Sequence, residues 1–443
     1  MISKYTKITL QNGARLLLVP MDGVDSVATS VMVGVGSRHE SRSISGISHF
    51  LEHMVFKGTR KYPTTDDVNI VERIGGLQNA YTDIDITCYH NKVLSGDWEL
   101  ALEINKELAL NPLIVEKNVD RERSVILEEM KRYEDEPAAK AEETLHTMMY
   151  PGTKLGQRTI GEVDSLKSIT DKDLHKYHDD WYMPNKIVVV IAGKLKTHPS
   201  TPLRTKNLKL KSASQNSKLT DQVNEWFGKL SPKKTDYAEV VAENQKIPLV
   251  AVVTKPDAQQ AHFFLGLRTF SRHNPDRFAW NVFNLLMGVS FTSRLFREIR
   301  EKRGLCYQIR SASDNWDDVG GWNIYAGVAT DRVSEAVRAI IHELSKVRDQ
   351  GVKEGEVAVA KKRLTTMLTF KSEDPEFMGE FYGRQELFGQ PIITLDQYLL
   401  KINAVTKKDI DALTKEYLKT ETLNLALVWN RGADEKLHPL LKI

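Results

Sequence analysis

The chain has 443 residues, 41% hydrophobic and 27% charged, with a formal net charge of +3. This length allows two or more domains with ample core, the composition is that of an ordinary globular protein, and near-neutrality gives nucleic-acid binding no support. No run approaches the eighteen or so apolar residues a membrane span needs, and two cysteines, Cys88 and Cys306, cannot build a disulfide framework.

Taken in chain order, MISKYTKITLQNGARLLLVP reads as a hairpin with Asn12-Gly13 in its turn. Structure is expected from near residue 5, and no apolar stretch with a small-residue cleavage site precedes it. That reading favours a cytoplasmic protein. Ser26 to Val35 follows as an alternating strand.

The segment GISHFLEHMVFKGT comes next, and His49, Phe50, Leu51, Glu52 and His53 spell H-x-x-E-H in a chain with only 12 histidines. On a helix, positions i and i+4 share a face, so His49 and His53 can offer two imidazoles to one metal ion. Glu52 lies on the flank of that face, within reach of an activated water. Two His and a carboxylate with an open fourth position form the ligand set of a catalytic zinc, and this residue order is the inverted zincin motif. A solvated amphipathic helix is the bland alternative. Phe50, Leu51, Met54, Val55 and Phe56 make the segment too apolar for it.

A third ligand has to come from another element, and DRERSVILEEMKR, Asp120 to Arg132, reads as a helix. Glu122 and Glu129 share a face, whereas Glu128 is rotated by about 100°. The residues alone favour solvated acids paired with nearby Lys or Arg, so the third ligand is open at this level.

Thr170 to Gly193 reads as a helix, a turn at Met183-Pro184-Asn185 and a buried strand, and the segment from Thr406 repeats that plan. At the same offset the helix Trp98 to Ala109 maps onto Ser334 to Ser345, with Glu107-Leu108 meeting Glu343-Leu344. Two matches at one spacing indicate a diverged internal repeat, and the second copy has no H-x-x-E-H. Residues 196–217 are polar, basic and turn-rich, which predicts a mobile loop. A short helix, Leu219 to Leu230, closes the first domain, 231–246 forms a linker, and Ile247-Pro248 opens the next strand. The expected domains are 1–230 and 247–443. Strands such as Gln260 to Leu267 mixed with long helices predict α+β layers. Ser290 to Ile309 reads as an amphipathic helix ending at Gly304 and a strand from near Leu305. Its arginines by themselves suit a solvated, salt-bridged face. Cys88 and Cys306 read as buried reduced thiols in two strands.

Together these motifs resemble the pitrilysin, insulinase and mitochondrial processing peptidase family of zinc metallopeptidases, in a short two-domain bacterial-type form, over almost the whole chain. The family carries H-x-x-E-H followed by a ligand Glu inside an E-R-x-x-V-x-x-E-like helix. The resemblance thus implies that Glu129 is the third zinc ligand and that Glu122 orients a ligand His. GGLQNAYTDIDITCY, Gly75 to Tyr89, matches a second signature. It implies that Asn79 and Ala80 lie on an edge strand beside the metal and hold an extended peptide by β-augmentation. Arg300 and Tyr307 match an Arg and a Tyr seven apart that the family aims at substrate, and both are suitable donors to an oxyanion. The glycines usual ahead of that helix are eroded to Met287-Gly288-Val289-Ser290, which weakens the expectation of backbone contacts there.

The resemblance implies two homologous domains, each a largely antiparallel sheet covered by helices, and one Zn2+ per chain. The implied activity is zinc-dependent hydrolysis of extended peptides or leader segments inside a closed chamber, with Glu52 as general base and then acid. Four such domains enclose the family's chamber and this chain supplies two. Because both motifs are present, a homodimer is favoured over a heterodimer with a related chain, with Arg300 and Tyr307 acting in trans. The competing expectation is a non-catalytic or scaffold subunit that binds peptides or a partner chain; the intact ligand set argues against it.

Overall fold

The computed structural model describes residues 5–195, 215–231, 244–432 and 436–443. Most of the expected loop at 196–217 and of the linker at 231–246 lies outside these residues. Residues 215–217 instead open a helix, Gln215–Phe227, four residues ahead of the expected start.

Eleven strands among the described residues form two sheets. The first contains β1 (Thr6–Thr9), β2 (Arg15–Pro20), β3 (Ser26–Val33), β4 (Leu77–Thr82), β5 (Thr87–Leu94) and β6 (Ile187–Gly193), in the order β1-β2-β6-β3-β5-β4. The second contains β7 (Leu249–Thr254), β8 (Gln260–Thr269), β9 (Cys306–Asn315), β10 (Gly320–Ala329) and β11 (Asn424–Trp429), in the order β7-β11-β8-β10-β9. Without β1 the orders superpose strand for strand. Each sheet has one parallel pair, β2 with β6 and β7 with β11, and its other pairs are antiparallel. The central strands β6 (IVVVIAG) and β11 (NLALVW) are buried along their whole length, as strands covered on both faces must be. The fold is α+β with two homologous sheets.

The N-terminal hairpin forms as expected, with Thr9 opposite Arg15 and Gly13 at φ +93°, a conformation glycine adopts without a Cβ penalty. Asn12 Nδ2 donates to the carbonyls of Phe227 and Leu230, which ties the hairpin turn to the helix Gln215–Phe227.

The packing units are not the contiguous halves expected. The first comprises 1–126, 159–237 and 369–397, and the second 127–158, 238–368 and 398–443. The first sheet lies in the first unit and the second sheet in the second, but each unit takes one helix from the opposite half of the sequence. The helix Pro375–Leu387 packs on β6, β3 and β2 of the first sheet, and Pro137–Met149 packs on β8, β11 and β7 of the second. Glycines permit both. A Cβ on Gly383 would lie 2.6 Å from Met32 Sδ, and one on Gly266 would lie 2.7 Å from Leu145 Cδ2. Each exchanged helix begins with an acid-Pro step, Glu136-Pro137 or Asp374-Pro375. Proline is preorganised for the first helical position. The other face of the first sheet carries the helix Trp98–Leu110 on β3 and β5, where Asn105 Nδ2 donates to Thr29 O at 2.9 Å. Thr29 and Met32 differ in parity, so the two helices cover opposite faces.

Candidate metal centre

The motif helix is Ile47–Val55. Its buried stripe, Ile47, Phe50, Leu51, Met54 and Val55, faces the core. His49, Glu52 and His53 occupy the half-buried flank. The helix begins after Gly46 in the left-handed region at φ +93° without a cap from its own side chain. Glu40 supplies the cap instead. One carboxylate oxygen accepts from Gly46 N–H at 2.6 Å and the other from Ser48 N–H at 2.8 Å, so two orphan donors of the first turn are bonded. Ser48 Oγ bonds Tyr177 Oη at 2.7 Å. Gly46 also crosses Gly161 so closely that a Cβ on Gly161 would lie 2.6 Å from Gly46 Cα.

His49 and His53 stand one turn apart with ring centroids 4.7 Å apart. Burial, and secondarily His53, push His49 down to about 3, so its imidazole is neutral and keeps a lone pair at ordinary pH. His53 Nδ1 lies 3.4 Å from Glu122 Oε2, and Lys57 Nζ lies 2.8 Å from Glu122 Oε1. With Nδ1–H turned to Glu122, Nε2 of His53 is left to accept or ligate. Glu122 is 4% exposed, and so sits in the interior between His53 and Lys57.

Glu122 belongs to the helix Glu116–Asp135, which Arg123 fastens by donating to Leu166 O at 2.6 Å and Ile169 O at 2.9 Å. The Arg123 guanidinium also stands 5.7 Å from the Phe50 ring centre on the motif helix. Farther along the same continuous helix, the adjacent Glu128 and Glu129 differ in their surroundings. Glu128 is 70% exposed and pairs with Lys131, while Glu129 is 21% exposed. One ligand atom each from His49, His53 and Glu129 lies within 4.8 Å of the other two. Glu129 also has Arg132 at 3.4 Å.

Beside Glu52, the hydroxyls of Tyr89 and Tyr182 share a 2.7 Å hydrogen bond. Burial chiefly raises both phenols, with a contribution from the charge on Glu52. β4, against which the motif helix packs, is an edge strand of the first sheet, with Asn79 opposite His90 and Ala80 opposite Tyr89. Asn79 is exposed and Ala80 buried. The Asn79 side-chain oxygen accepts from the Ala80 N–H at 2.9 Å, so this edge amide is already engaged.

Arg300 and Tyr307 form a pair of their own in the second unit. The Arg300 guanidinium lies 4.7 Å from the Phe296 ring centre and 5.2 Å from that of Tyr307. Tyr307 is 78% exposed on β9, an edge of the second sheet. The regular helix expected here is instead π-helical over Phe296–Glu301, with Lys302 N–H donating to Arg297 O. Such wide turns occur mostly as single local features, often at functional sites. The stop at Gly304 holds: its φ is +56°, and its N–H reaches back to Arg300 O at 3.0 Å, the bond of a glycine-terminated helix. Cys88 and Cys306 are free and buried in β5 and β9.

Sequence reasoning missed Glu40, Lys57 and Arg123. Glu40 acts across a loop, and no local spacing marks it. Arg123 stands beside Glu122 in the stretch already singled out, so it was within reach.

Two family models match the chain: insulinase (peptidase family M16) over residues 17–163 and the peptidase M16 inactive domain over 212–364. An uncharacterised zinc protease of Bacillus subtilis is 30% identical, covering 98% of this chain and 99% of its own length. A probable mitochondrial-processing peptidase subunit beta of Arabidopsis thaliana is 26% identical, covering 95% and 77%. The crystal structure of a protease from Helicobacter pylori shares the fold with a TM-score of 0.85 at 23% identity, over 96% of this chain and all of that one. The chain belongs to the insulinase family of metallopeptidases, M16.

Proposed function

We propose that this chain is a zinc-dependent endopeptidase that hydrolyses extended peptides, with His49, His53 and Glu129 as zinc ligands and Glu52 as the proton carrier. One observation carries the reading: two imidazole nitrogens and a carboxylate oxygen from two separate helices converge within 4.8 Å. This donor set fits zinc. Tetrahedral ligands at 2.0–2.2 Å stand roughly 3.4 Å apart, so small side-chain rotations bring the three into range. The name of the Bacillus relative points the same way.

Bound zinc supplies a Lewis acid that polarises the scissile carbonyl and acidifies water. Glu52 takes the proton of the attacking water and passes it to the leaving amine. Glu122 holds His53 in orientation through Nδ1. Asn79 and Ala80 receive the peptide backbone along the edge of β4; for this the Asn79 side chain releases the Ala80 N–H. Arg300 and Tyr307 donate to the carbonyl oxygen as it gains charge, and on this reading they do so from the opposite subunit of a closed homodimer. Two free thiols suit a reducing compartment, and the proposed location is the cytoplasm.

Zinc content and cleavage of a quenched peptide test the assignment together. Chelation and Glu52→Gln should each abolish cleavage, and Glu52→Gln protein should retain its zinc. Zinc-loaded wild-type protein that cleaves no peptide would refute it. Mixing Glu52→Gln chains with Arg300→Ala chains tests the trans arrangement: activity should return, and its absence at every mixing ratio counts against a shared site.

A further inference from the structure

A cavity of about 190 Å³ opens in the second unit between the segment Gly288–Phe291 at the end of the helix Arg277–Gly288, Phe296, the edge strand β9 and the helix that carries Arg363. Its charged lining is Arg300, Arg310 and Arg363, and among the described residues no aspartate or glutamate lines it. Glu142, whose carboxyl feels the Arg310 charge, is outside the lining.

Two of these guanidiniums are held by rings. Arg300 lies over Phe296 and Tyr307, and Arg310 is 4.9 Å from the Tyr325 ring centre. Stacking engages the face of a guanidinium and leaves the N–H donors on its rim for an acceptor. Three like charges around one small space repel each other, so an anion that enters relieves that repulsion as well as forming its own bonds. The volume is below that of a pocket for a drug-sized ligand; it suits a single side chain or a chain end.

The cavity's place on the sheet says what would bring such a group. β9 is an edge of the second sheet, the repeat's counterpart of β4, and Tyr307, Gln308 and Arg310 on it are exposed. An extended chain added to that edge presents alternate side chains to the same side. We infer that this cavity is a carboxylate-binding subsite for an extended peptide, filled by an Asp or Glu side chain or by the C-terminal carboxylate. The inference rests on the peptidase reading for its ligand class and shares Arg300 with it, whereas Arg310 and Arg363 belong to this cavity alone, and it makes the substrates acidic at one position or anchored by their end.

The test is fluorescence anisotropy of labelled extended peptides on full-length Glu52→Gln protein, which separates binding from turnover. One peptide has internal Glu residues and an amidated C-terminus, the second has Gln and a free C-terminal carboxylate, and the third has Gln and an amide. One of the first two should bind about tenfold more tightly than the third, and which of them does identifies the source of the carboxylate. Raising salt should shrink that preference, since the site is partly exposed. Arg310→Gln combined with Arg363→Gln, with Arg300 intact, should bring it to within about twofold, and Arg363→Lys should preserve more of it than Arg363→Gln. Unchanged melting temperatures of the variants separate lost binding from misfolding. Equal affinity for all three peptides, no binding of any, or a preference that survives the double substitution overturns the subsite. Absence of cleavage by the zinc-loaded wild type, with the anisotropy preference intact, overturns the peptidase reading alone.

Discussion

Glu40 should govern the stability of the motif helix although it lies outside the helix and outside every recognisable motif. Its carboxylate is fully buried and accepts from Gly46 N–H at 2.6 Å and Ser48 N–H at 2.8 Å. Hydrogen bonds to a charged group contribute about 1.5–3 kcal/mol each, and removing the acceptor leaves buried donors unpaired, so Glu40→Ala should cost about 3–5 kcal/mol of local stability. Glu40→Gln keeps one acceptor oxygen and turns an NH2 toward the other amide, so about half that loss is expected. Hydrogen exchange at the amides of Phe50 to Val55 reads this directly. Protection should fall by about two decades or more in the alanine variant and by roughly one in the glutamine variant. Because His49 is in the first turn, zinc affinity measured by chelator competition should fall in the same order. If Glu40→Ala left these amides within twofold of wild-type protection, the capping argument would be wrong.

Glu122→Gln should weaken zinc binding roughly 10–100-fold by releasing His53, measured against a chromophoric chelator, while Glu128→Gln should leave affinity unchanged because Glu128 is 70% exposed. Gly161→Ala places a Cβ 2.4 Å from Ser45 O at φ +89° and should cost at least ~2 kcal/mol. Gly152→Ala, at φ +73° with nothing within 4 Å, should cost only its backbone strain, roughly 1 kcal/mol; equal melting temperatures for the two variants would contradict this. Burial holds His178 below its ordinary value of 6.5, opposed by its bond to Ala109 O. Below about 6.5 the unfolded chain then binds more protons than the folded one, so His178's contribution is fully present above that pH and is lost as pH falls toward the folded value. Urea midpoints between about pH 8 and pH 5 should fall less steeply in His178→Gln than in wild type.

Short-range patterns in the sequence were read well because a single element contains all the information. Helical spacing put His49 and His53 on one face, the Asn12-Gly13 turn formed, the Gly304 stop appeared, and the repeat was visible because Thr170 and Thr406 open matching helix-strand units. The interval Phe296–Glu301 shows the limit of this kind of reading. Periodicity specified an apolar face but did not distinguish a regular helix from π winding, which depends on how that face meets the sheet.

What the sequence alone determined, then, was the pair of imidazoles, the nearby Glu52 and the internal repeat of helix-strand units. Those depend on spacings of a few residues, or on a pattern that recurs along the chain. Spacing turned Glu129 and Glu128 to different faces of their helix, but only the tertiary structure brought Glu129 to the two imidazoles and left Glu128 exposed, because what packs against each acid is not written in its spacing. It alone revealed the exchange of Pro137–Met149 and Pro375–Leu387 between the two units, since a helix's choice of sheet is decided by close contacts such as those at Gly266 and Gly383. Glu40 and Lys57 belong to the same class. Their roles rest on burying a charge beside one particular partner, and chain folding brings that partner within bonding distance.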